Sequence, residues 1–224
     1  MNNKTASFHW LLILALALSV SSCMTLPKAK PSGYLMDYNS LEPLHGKEHT
    51  LYYEDKDAAW TKYKGIMFEE VVIKLSPDAK SKKLDPEDTK KMRNYFQRSL
   101  AKNACSRLEF RNRPGDDVIV LRTAIVDIKP VNVAANIVSR GLFYVPVDFG
   151  EAAIEGELRD SVTGRRLTAI VDRKIGGFIN PKDSYTTWGS VEDAFDEWAS
   201  QLANLLDRNM VRAYNNAEPL PTLK

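Results

Sequence analysis

The sequence predicts an α+β domain in which two main helices pack on one face of a mostly antiparallel sheet. Three observations lead to this prediction. Strand and helix patterns follow one another in the order β-α-β-β-β-α, two of the strands read as a hairpin, and the chain closes with a long amphipathic helix. With 44% hydrophobic and 27% charged residues, the composition is that of an ordinary folded domain with one core.

The first strand and the first helix follow one another closely. The segment 65–77, GIMFEEVVIKLSP, alternates as a strand does and ends at Pro77. The inward face of this strand is predicted to comprise Val71, Ile73 and Leu75. The helix begins with Asp85 as N-cap and Pro86 at the first helical position. The buried stripe of the helix is predicted to comprise Met92, Tyr95, Phe96 and Leu100.

Three further strands come next. The run DVIVLRTAIVDI (117–128) is long and apolar, and Pro130 ends it. The stretch GEAAIEGELRDSVTGRRLTAIVDRK (150–174) reads as a hairpin, because apolar and charged residues alternate in its first half. The segment DSVTG supplies the turn, with Gly164 at a position that favours positive φ.

The closing helix is predicted to begin at residue 190. Ser190 and Asp193 have the spacing of a capping box, in which the two side chains satisfy free N–H groups at the helix start. The inward stripe of this helix is predicted to comprise Val191, Ala194, Phe195, Trp198, Leu202, Leu205 and Leu206.

The N-terminus carries the features of an export signal. Lys4 precedes an apolar run at 10–20, which is shorter than the roughly 20 residues of a membrane-spanning helix and fits a secretory signal of about 7–15. The following Val20-Ser21-Ser22-Cys23 resembles the lipobox of bacterial lipoprotein precursors. This resemblance implies that Cys23 is acylated after cleavage. The resulting organisation is a signal peptide (1–22), a lipidated Cys with a Pro/Lys-rich tether (23–33), one periplasmic α+β domain (34–215) and a tail (216–224).

Two further observations concern location and partners. Met24 follows the anchor where an inner-membrane retention signal has Asp, which by resemblance to Gram-negative lipoproteins indicates an outer-membrane protein facing the periplasm. The formal net charge of +2 gives no basis for nucleic-acid binding. Cys105 is the only other cysteine. With Cys23 acylated, Cys105 has no partner within the chain, so no disulfide is expected, and Cys105 is predicted to be a small buried hydrophobe.

Three blocks of sequence resemble one known family. SGYLMDYNSLEP, IEGELRDSVTGRRLTAIVDR and WGSVEDAFDEWASQL are similar, in content and order, to the signature blocks of the bacterial lipoprotein family catalogued as domain of unknown function 3313. The resemblance implies a periplasmic domain tethered to the outer membrane, and implies no activity. Separately, Tyr34, Leu35, Tyr38 and Leu41 follow no clean period, which predicts an extended arm packed on the domain by its aromatic residues. The signature positions, for which structural roles are expected, are Tyr34, Asp37, Tyr38, Arg159, Asp160, Gly164, Asp172, Trp188, Gly189 and Trp198.

One short motif raises the question of a metal. HGKEH places His45, Glu48 and His49 in the H-x-x-E-H spacing of a zinc hydrolase, which needs a helix to align both imidazoles. Pro43 and Gly46 disfavour that helix, so a solvated polar turn without metal is expected. With no other histidine after the signal peptide and no phosphate-binding glycine loop, we expect neither a catalytic residue nor a cofactor.

The segment 131–150, VNVAANIVSRGLFYVPVDFG, is strongly apolar and follows neither period for long. It fits either a buried crossover or short helix over the sheet, or an exposed apolar surface for a partner. Two functions stay open. The first is a non-enzymatic accessory lipoprotein that binds an envelope protein through 131–150. The alternative is a carrier of a small molecule or lipid, with a pocket between sheet and helices, and a zinc hydrolase is a remote third.

Overall fold

A computed structural model describes residues 31–77, 79, 84–103, 108–143, 148–176 and 186–216. The predicted signal peptide, Cys23, the tether up to residue 30, Cys105 and the tail from residue 217 lie outside the described residues. Within the described ranges, no helix combines the length and the apolar character needed to cross a bilayer.

The described chain forms an eight-stranded sheet and three helices, which confirms the predicted α+β class. The strands are β1 (Glu42–Leu44), β2 (Lys47–Glu54), β3 (Gly65–Phe68), β4 (Val72–Ile73), β5 (Glu109–Phe110), β6 (Val118–Lys129), β7 (Glu151–Asp160) and β8 (Arg166–Ile175). The helices are α1 (Pro86–Lys102), α2 (Val133–Phe143) and α3 (Gly189–Asn216), with a short 3-10 turn at Trp60–Lys62.

The sheet is antiparallel through its long strands and parallel at one edge. Its order is β1-β2-β8-β7-β6-β3-β5, and β4 pairs with β6 beyond the end of β3. The neighbouring strands β1 and β2, β2 and β8, β8 and β7, and β7 and β6 are antiparallel. In contrast, β3 and β4 run parallel to β6. The long central hairpin of β7 and β8 and the strand β6 therefore form the frame on which the other elements are placed.

The strand predicted over 65–75 is in fact two short strands, so this prediction is wrong in detail. The backbone leaves the ladder between Phe68 and Val72. There the Val71 N–H donates to the side-chain oxygen of Gln97 on α1, at 2.8 Å, instead of to a strand. A helix side chain thus satisfies the backbone group that the break would leave free.

The core lies between the sheet and the two long helices, on what we call the helix face of the sheet. Phe96 of α1 and Phe195 of α3 are fully buried and stack with ring centroids 4.5 Å apart. Below them lie side chains of β6 and β7, such as Ile125 and Leu158. The predicted start of α1 is confirmed, since the Asp85 carboxylate accepts a hydrogen bond from the Glu87 N–H at 2.8 Å.

The opposite side, the arm face, is covered by the N-terminal arm (31–41). Leu35 and Leu41 of this arm are buried against Ala169 and Val171 of β8. This confirms the predicted extended arm. The hairpin of β1 and β2 was not predicted from the sequence, and its turn contains Gly46 at φ +76°.

Helix α3 begins at Gly189, one residue earlier than predicted, so Ser190 is not its N-cap. The Thr186 hydroxyl oxygen accepts a hydrogen bond from the Gly189 N–H at 3.0 Å. Ser190 lies instead inside the first turn, and its Cβ is 2.9 Å and 2.0 Å from where a Cβ added at Gly150 and at Gly176 would lie. The close approach of three chain segments here allows no larger side chain.

We expect Gly176→Ala to destabilise the protein by about 1–3 kcal/mol, the usual cost of forcing extra atoms into a packed site. An added Cβ at Gly176 would lie 2.0 Å from the Ser190 Cβ, so the start of α3 would have to move. Urea unfolding measures the change. Gly141→Ala is the control, because that glycine has no atom within 4 Å of an added Cβ and should tolerate the change. Equal stability of the two variants would contradict the assigned packing.

Candidate functional site

Helix α2 presents three large apolar side chains to solvent and two of its polar side chains to the protein. Ile137, Val138 and Leu142 are 61%, 62% and 66% exposed. Asn136 is completely buried, and Ser139 nearly so. An ordinary surface helix has the reverse arrangement, with an apolar stripe facing the core. We call the three exposed side chains the α2 apolar face.

The buried Asn136 fixes the position of this helix. Its side-chain amide donates to the Asp148 carbonyl and accepts from the Asp148 N–H, both at 2.7 Å. The Asp148 carboxylate accepts from the Asn132 N–H at 2.6 Å and from the Lys129 ammonium at 2.5 Å. Burial would raise the pKa of Asp148, but these hydrogen bonds and the Lys129 charge lower it below its usual value. The apolar face is therefore held in place by polar bonds behind it.

Of the two readings of 131–150, the described residues 131–143 favour the exposed apolar surface. Val131 is buried, and α2 packs through Asn136 and Ser139. Its large apolar residues Ile137, Val138 and Leu142 are exposed and are not buried on the sheet. Residues 144–147 lie outside the described residues.

A second candidate site is a cavity of about 370 Å³ between the helix face of the sheet and the two long helices. Its walls are apolar, with side chains from α1, α3 and the strands β6, β7 and β8. Leu202 and Leu205 lie on the predicted inward stripe of α3 but are only partly buried, because they border this cavity. Lys47 and Arg208 lie among the polar residues that line it.

On the arm face, three signature positions of the arm contact the sheet, and one of them does so through a buried carboxylate. Glu155 of β7 is fully buried and accepts hydrogen bonds from the Tyr38 hydroxyl at 2.6 Å and from the Ser32 N–H at 2.7 Å. Burial, together with the hydrogen bond to Glu155, raises the pKa of Tyr38 to about 12. The Tyr34 ring lies 5.4 Å from the Arg122 guanidinium, and the Asp37 carbonyl accepts from Arg166. These residues hold the arm on the sheet.

The signature residues of the hairpin organise its turn and the charge beside it. Arg159 donates to Glu157 at 2.9 Å and to the Gly164 carbonyl at 3.0 Å. The Asp160 carboxylate accepts from the N–H groups of Val162 and Thr163, and Gly164 has φ +69°. The Asp160 carboxylate also forms a salt bridge with the Lys62 ammonium at 2.7 Å. The contacts of these residues are those of a structural turn.

The remaining signature residues lie on the helix face. The Asp172 carboxylate accepts from the Trp198 ring N–H and from the Thr50 hydroxyl, both at 2.6 Å. Trp188 and Trp198 are buried in the core, and Gly189 is the first residue of α3. Both tryptophans therefore pack in the core and are not part of an open aromatic cage.

We expect the stability difference between the wild type and Asp160→Asn to be largest above pH 5 and to shrink toward pH 2. Burial would raise the pKa of Asp160, but hydrogen bonds from Lys62, Thr163 and Tyr63 lower it well below its usual value. A carboxylate with a lowered pKa in the folded state stabilises the fold above its unfolded pKa of about 3.9, and loses this contribution as the pH falls. Unfolding measured at several pH values tests this. Parallel stability curves for the two proteins would contradict it.

The HGKEH motif does not form a helix. His45 and Gly46 make the turn between β1 and β2, and Glu48 and His49 belong to β2. Both imidazoles therefore lack the helical alignment of an H-x-x-E-H site. Among the described residues, no three His, Cys, Asp or Glu side chains form a group able to hold a metal.

Comparison with known proteins gives one family match. The sequence matches the family "Protein of unknown function (DUF3313)" over residues 30–202. No curated protein sequence matches the chain.

Several solved structures are distantly similar. PelC from Paraburkholderia phytofirmans, solved as a dodecamer, has 11% identity and a TM-score of 0.42, over 69% of this chain and 97% of its own. A DUF330 protein from Xanthomonas campestris has 7% identity and a TM-score of 0.36, over 69% of this chain and 88% of its own. A DUF4136 protein from Bacteroides thetaiotaomicron has 9% identity and a TM-score of 0.33, over 77% of this chain and 98% of its own. These similarities are too distant to indicate a function.

Proposed function

The chain belongs to the DUF3313 family of proteins of unknown function, and we propose that it is a lipid-anchored, non-enzymatic docking protein of the bacterial envelope. Acylated Cys23 holds it in the outer membrane, with its domain in the periplasm. The α2 apolar face binds an envelope protein that offers an apolar groove. The lipobox at Val20–Cys23 supports the anchor, and stable anchoring by more than one acyl chain agrees with the energetics of lipidated proteins.

The single observation that carries the docking proposal is the reversed orientation of α2. Solvent exposure of three large apolar side chains on one short helix is costly unless a partner covers them. The two hydrogen bonds between Asn136 and Asp148 fix the helix before binding, which lowers the entropy cost of docking. Gly141, with open space around it, lets a partner approach the helix backbone closely. A helix laid into a groove is an established mode of protein recognition.

Photocrosslinking in living cells tests the docking proposal. A benzophenone amino acid replaces Ile137 in the full-length chain, and Val162 is the matched control because it is equally exposed but lies in the turn between β7 and β8. We expect one defined envelope protein to be crosslinked from position 137 and not from position 162. Identical adducts at the two positions, or adducts with lipid alone, would contradict docking on a protein.

The anchor makes a separate prediction. Because the thiol of Cys23 is the atom that would carry the lipid, Cys23→Ser should abolish labelling of the chain by an alkyne analogue of palmitate. By resemblance to lipoprotein precursors, the substitution should also block maturation of the chain, so that the signal peptide is retained. Labelling and processing of the wild type and of Cys105→Ser, which should behave alike, provide the control. A labelled Cys23→Ser protein would show that the lipid is carried elsewhere or that the motif is accidental.

A further inference from the structure

We propose that the cavity between the helix face and the two long helices binds a single-chain amphiphile with an anionic head group, such as a fatty acid. This inference rests on a different part of the molecule from the α2 apolar face and does not depend on the docking proposal. The acyl chain would occupy the apolar interior, and the carboxylate would lie beside Lys47 and Arg208.

The size and lining of the cavity support an apolar ligand. Its volume of about 370 Å³ lies in the range of small-molecule sites, which is about 300–1,000 Å³. Phe96, Leu100 and Trp198 border it on the helix side, and Ile154 and Ile170 on the sheet side. Gly156 also lines the cavity, and a Cβ added there would lie 3.6 Å from Ile170. Because glycine has no side chain, the cavity is deeper on its sheet side.

A cavity of this size beside the core is unusual. Protein cores are packed as densely as organic crystals, and voids lined by Leu and Ile reduce stability in proportion to their volume. Leu202 and Leu205 are on the inward stripe of α3 and pack against the core, yet they stay partly accessible where they line this space. A ligand that covers the accessible part of these two side chains would remove further apolar surface from water.

The charges at the cavity favour an anion over a cation. Lys47 of β2 and Arg208 of α3 both line it, and both are exposed. Glu54 is the nearby carboxylate, and its side chain lies 3.5 Å from Arg208 and accepts a hydrogen bond from the Tyr52 hydroxyl at 3.1 Å. Glu157 also lines the cavity, but its carboxylate is paired with Arg122, Arg159 and Arg166. Lys47 and Arg208 therefore face Glu54 alone, which leaves a net positive charge. A carboxylate ligand would therefore gain charge-assisted hydrogen bonds that an ammonium ligand could not.

The interior gives the remaining selectivity. Thr123, Thr168 and Tyr52 are the hydroxyl-bearing residues among those lining the cavity. The Tyr52 hydroxyl already donates to Glu54, and most of the remaining inner lining is hydrocarbon. A sugar or a peptide would bury hydroxyl or amide groups against this surface without enough partners, which is costly. A flexible, unbranched acyl chain places no polar atom there.

Photoaffinity labelling of the full-length, membrane-anchored chain tests the proposal. Isolated membranes receive a C12 fatty acid with a diazirine in its chain, and labelled residues are located by mass spectrometry. We expect labels on cavity residues of α1 and α3, competed by laurate and not by dodecylamine. Equal competition by dodecylamine would overturn the anionic head group, and labels spread over the exposed surface would overturn the site.

Two variants and one matched control sharpen the test. Leu205→Trp fills the cavity and should abolish the labelling, while Arg208→Gln should weaken laurate competition by at least about tenfold, the effect of losing a charged hydrogen bond. Arg98→Gln, an exposed arginine of α1 outside the cavity, should change neither. If Leu205→Trp does not fold, as judged by circular dichroism, Gly156→Ala reduces the cavity from the sheet side and replaces it. Full labelling in a folded, filled variant would overturn the proposal, whereas loss of the α2 apolar face should leave labelling intact.

Discussion

Trp198→Ala is expected to lower the free energy of unfolding by about 3–5 kcal/mol, the range for truncating a buried large aromatic residue. The Trp198 ring is buried between the two long helices and the sheet, with its centroid 6.2 Å from that of Phe96 and 6.1 Å from that of Phe195. Its ring N–H also donates to the buried Asp172 carboxylate at 2.6 Å. The substitution therefore opens a void and removes a hydrogen-bond donor from a buried charge.

Two further substitutions separate these causes in denaturant unfolding. Trp198→Phe keeps most of the ring volume but removes the N–H, so we expect an intermediate loss. Ser200→Ala, on the exposed side of the same helix, should change stability by no more than about 0.5 kcal/mol. If Trp198→Ala unfolds like the wild type, Trp198 does not belong to the core.

Glu157→Ala is the second substitution with a large expected effect, also about 3–5 kcal/mol, as for breaking a buried ion pair. The Glu157 side chain is wholly buried and contacts three arginines, Arg122 at 2.6 Å, Arg159 at 2.9 Å and Arg166 at 3.0 Å. Burial would raise the pKa of Glu157, but the hydrogen bond and charge of Arg159 and the charges of the other two lower it below its usual value. Its removal leaves three guanidinium groups close together without their shared carboxylate.

A matched control exists for this variant. Glu70 is 71% exposed and pairs with Arg93 at 3.0 Å, so Glu70→Ala should cost at most about 1 kcal/mol, as surface ion pairs do. Urea unfolding at pH 7 compares the two. Glu157→Gln, which keeps the size but not the charge, should fall between them. Similar stabilities for Glu157→Ala and Glu70→Ala would mean that the cluster of arginines does not depend on this carboxylate.

Local patterns were enough to predict the long elements. Period-two alternation in β7 correctly separated Ile154 and Leu158 from Glu155 and Glu157, and Asp85 with Pro86 marked the start of α1. The alternation could not show that both glutamates are buried. Their cover comes from the arm and from arginines on neighbouring strands, which are distant in the sequence.

Other features depend on tertiary contacts that no local pattern encodes. The break between β3 and β4 depends on Gln97 of α1, and the start of α3 depends on the packing of Ser190 against two glycines. Asp196 lies off the inward stripe of α3 as expected, yet its carboxylate accepts hydrogen bonds from the Tyr95 and Ser99 hydroxyls of α1. A substitution there is therefore not a neutral surface change.

The two candidate sites differ in the same way. The apolar composition of 131–150 indicated a possible surface, but only the burial of Asn136 shows which side of α2 faces the protein. The cavity has no local signal at all. It is lined by side chains from both long helices and from strands that are distant in the sequence.

The most direct measurement of the docking function is crosslinking from Val138 in the double variant Ile137→Ser, Leu142→Ser, together with its free energy of unfolding. Both substituted side chains are exposed, so stability should stay within about 0.5 kcal/mol of the wild type. We predict that the defined adduct to the envelope protein disappears while the domain stays folded and membrane-bound. An undiminished adduct, or a loss of stability large enough to unfold the domain, would contradict a binding role for the α2 apolar face.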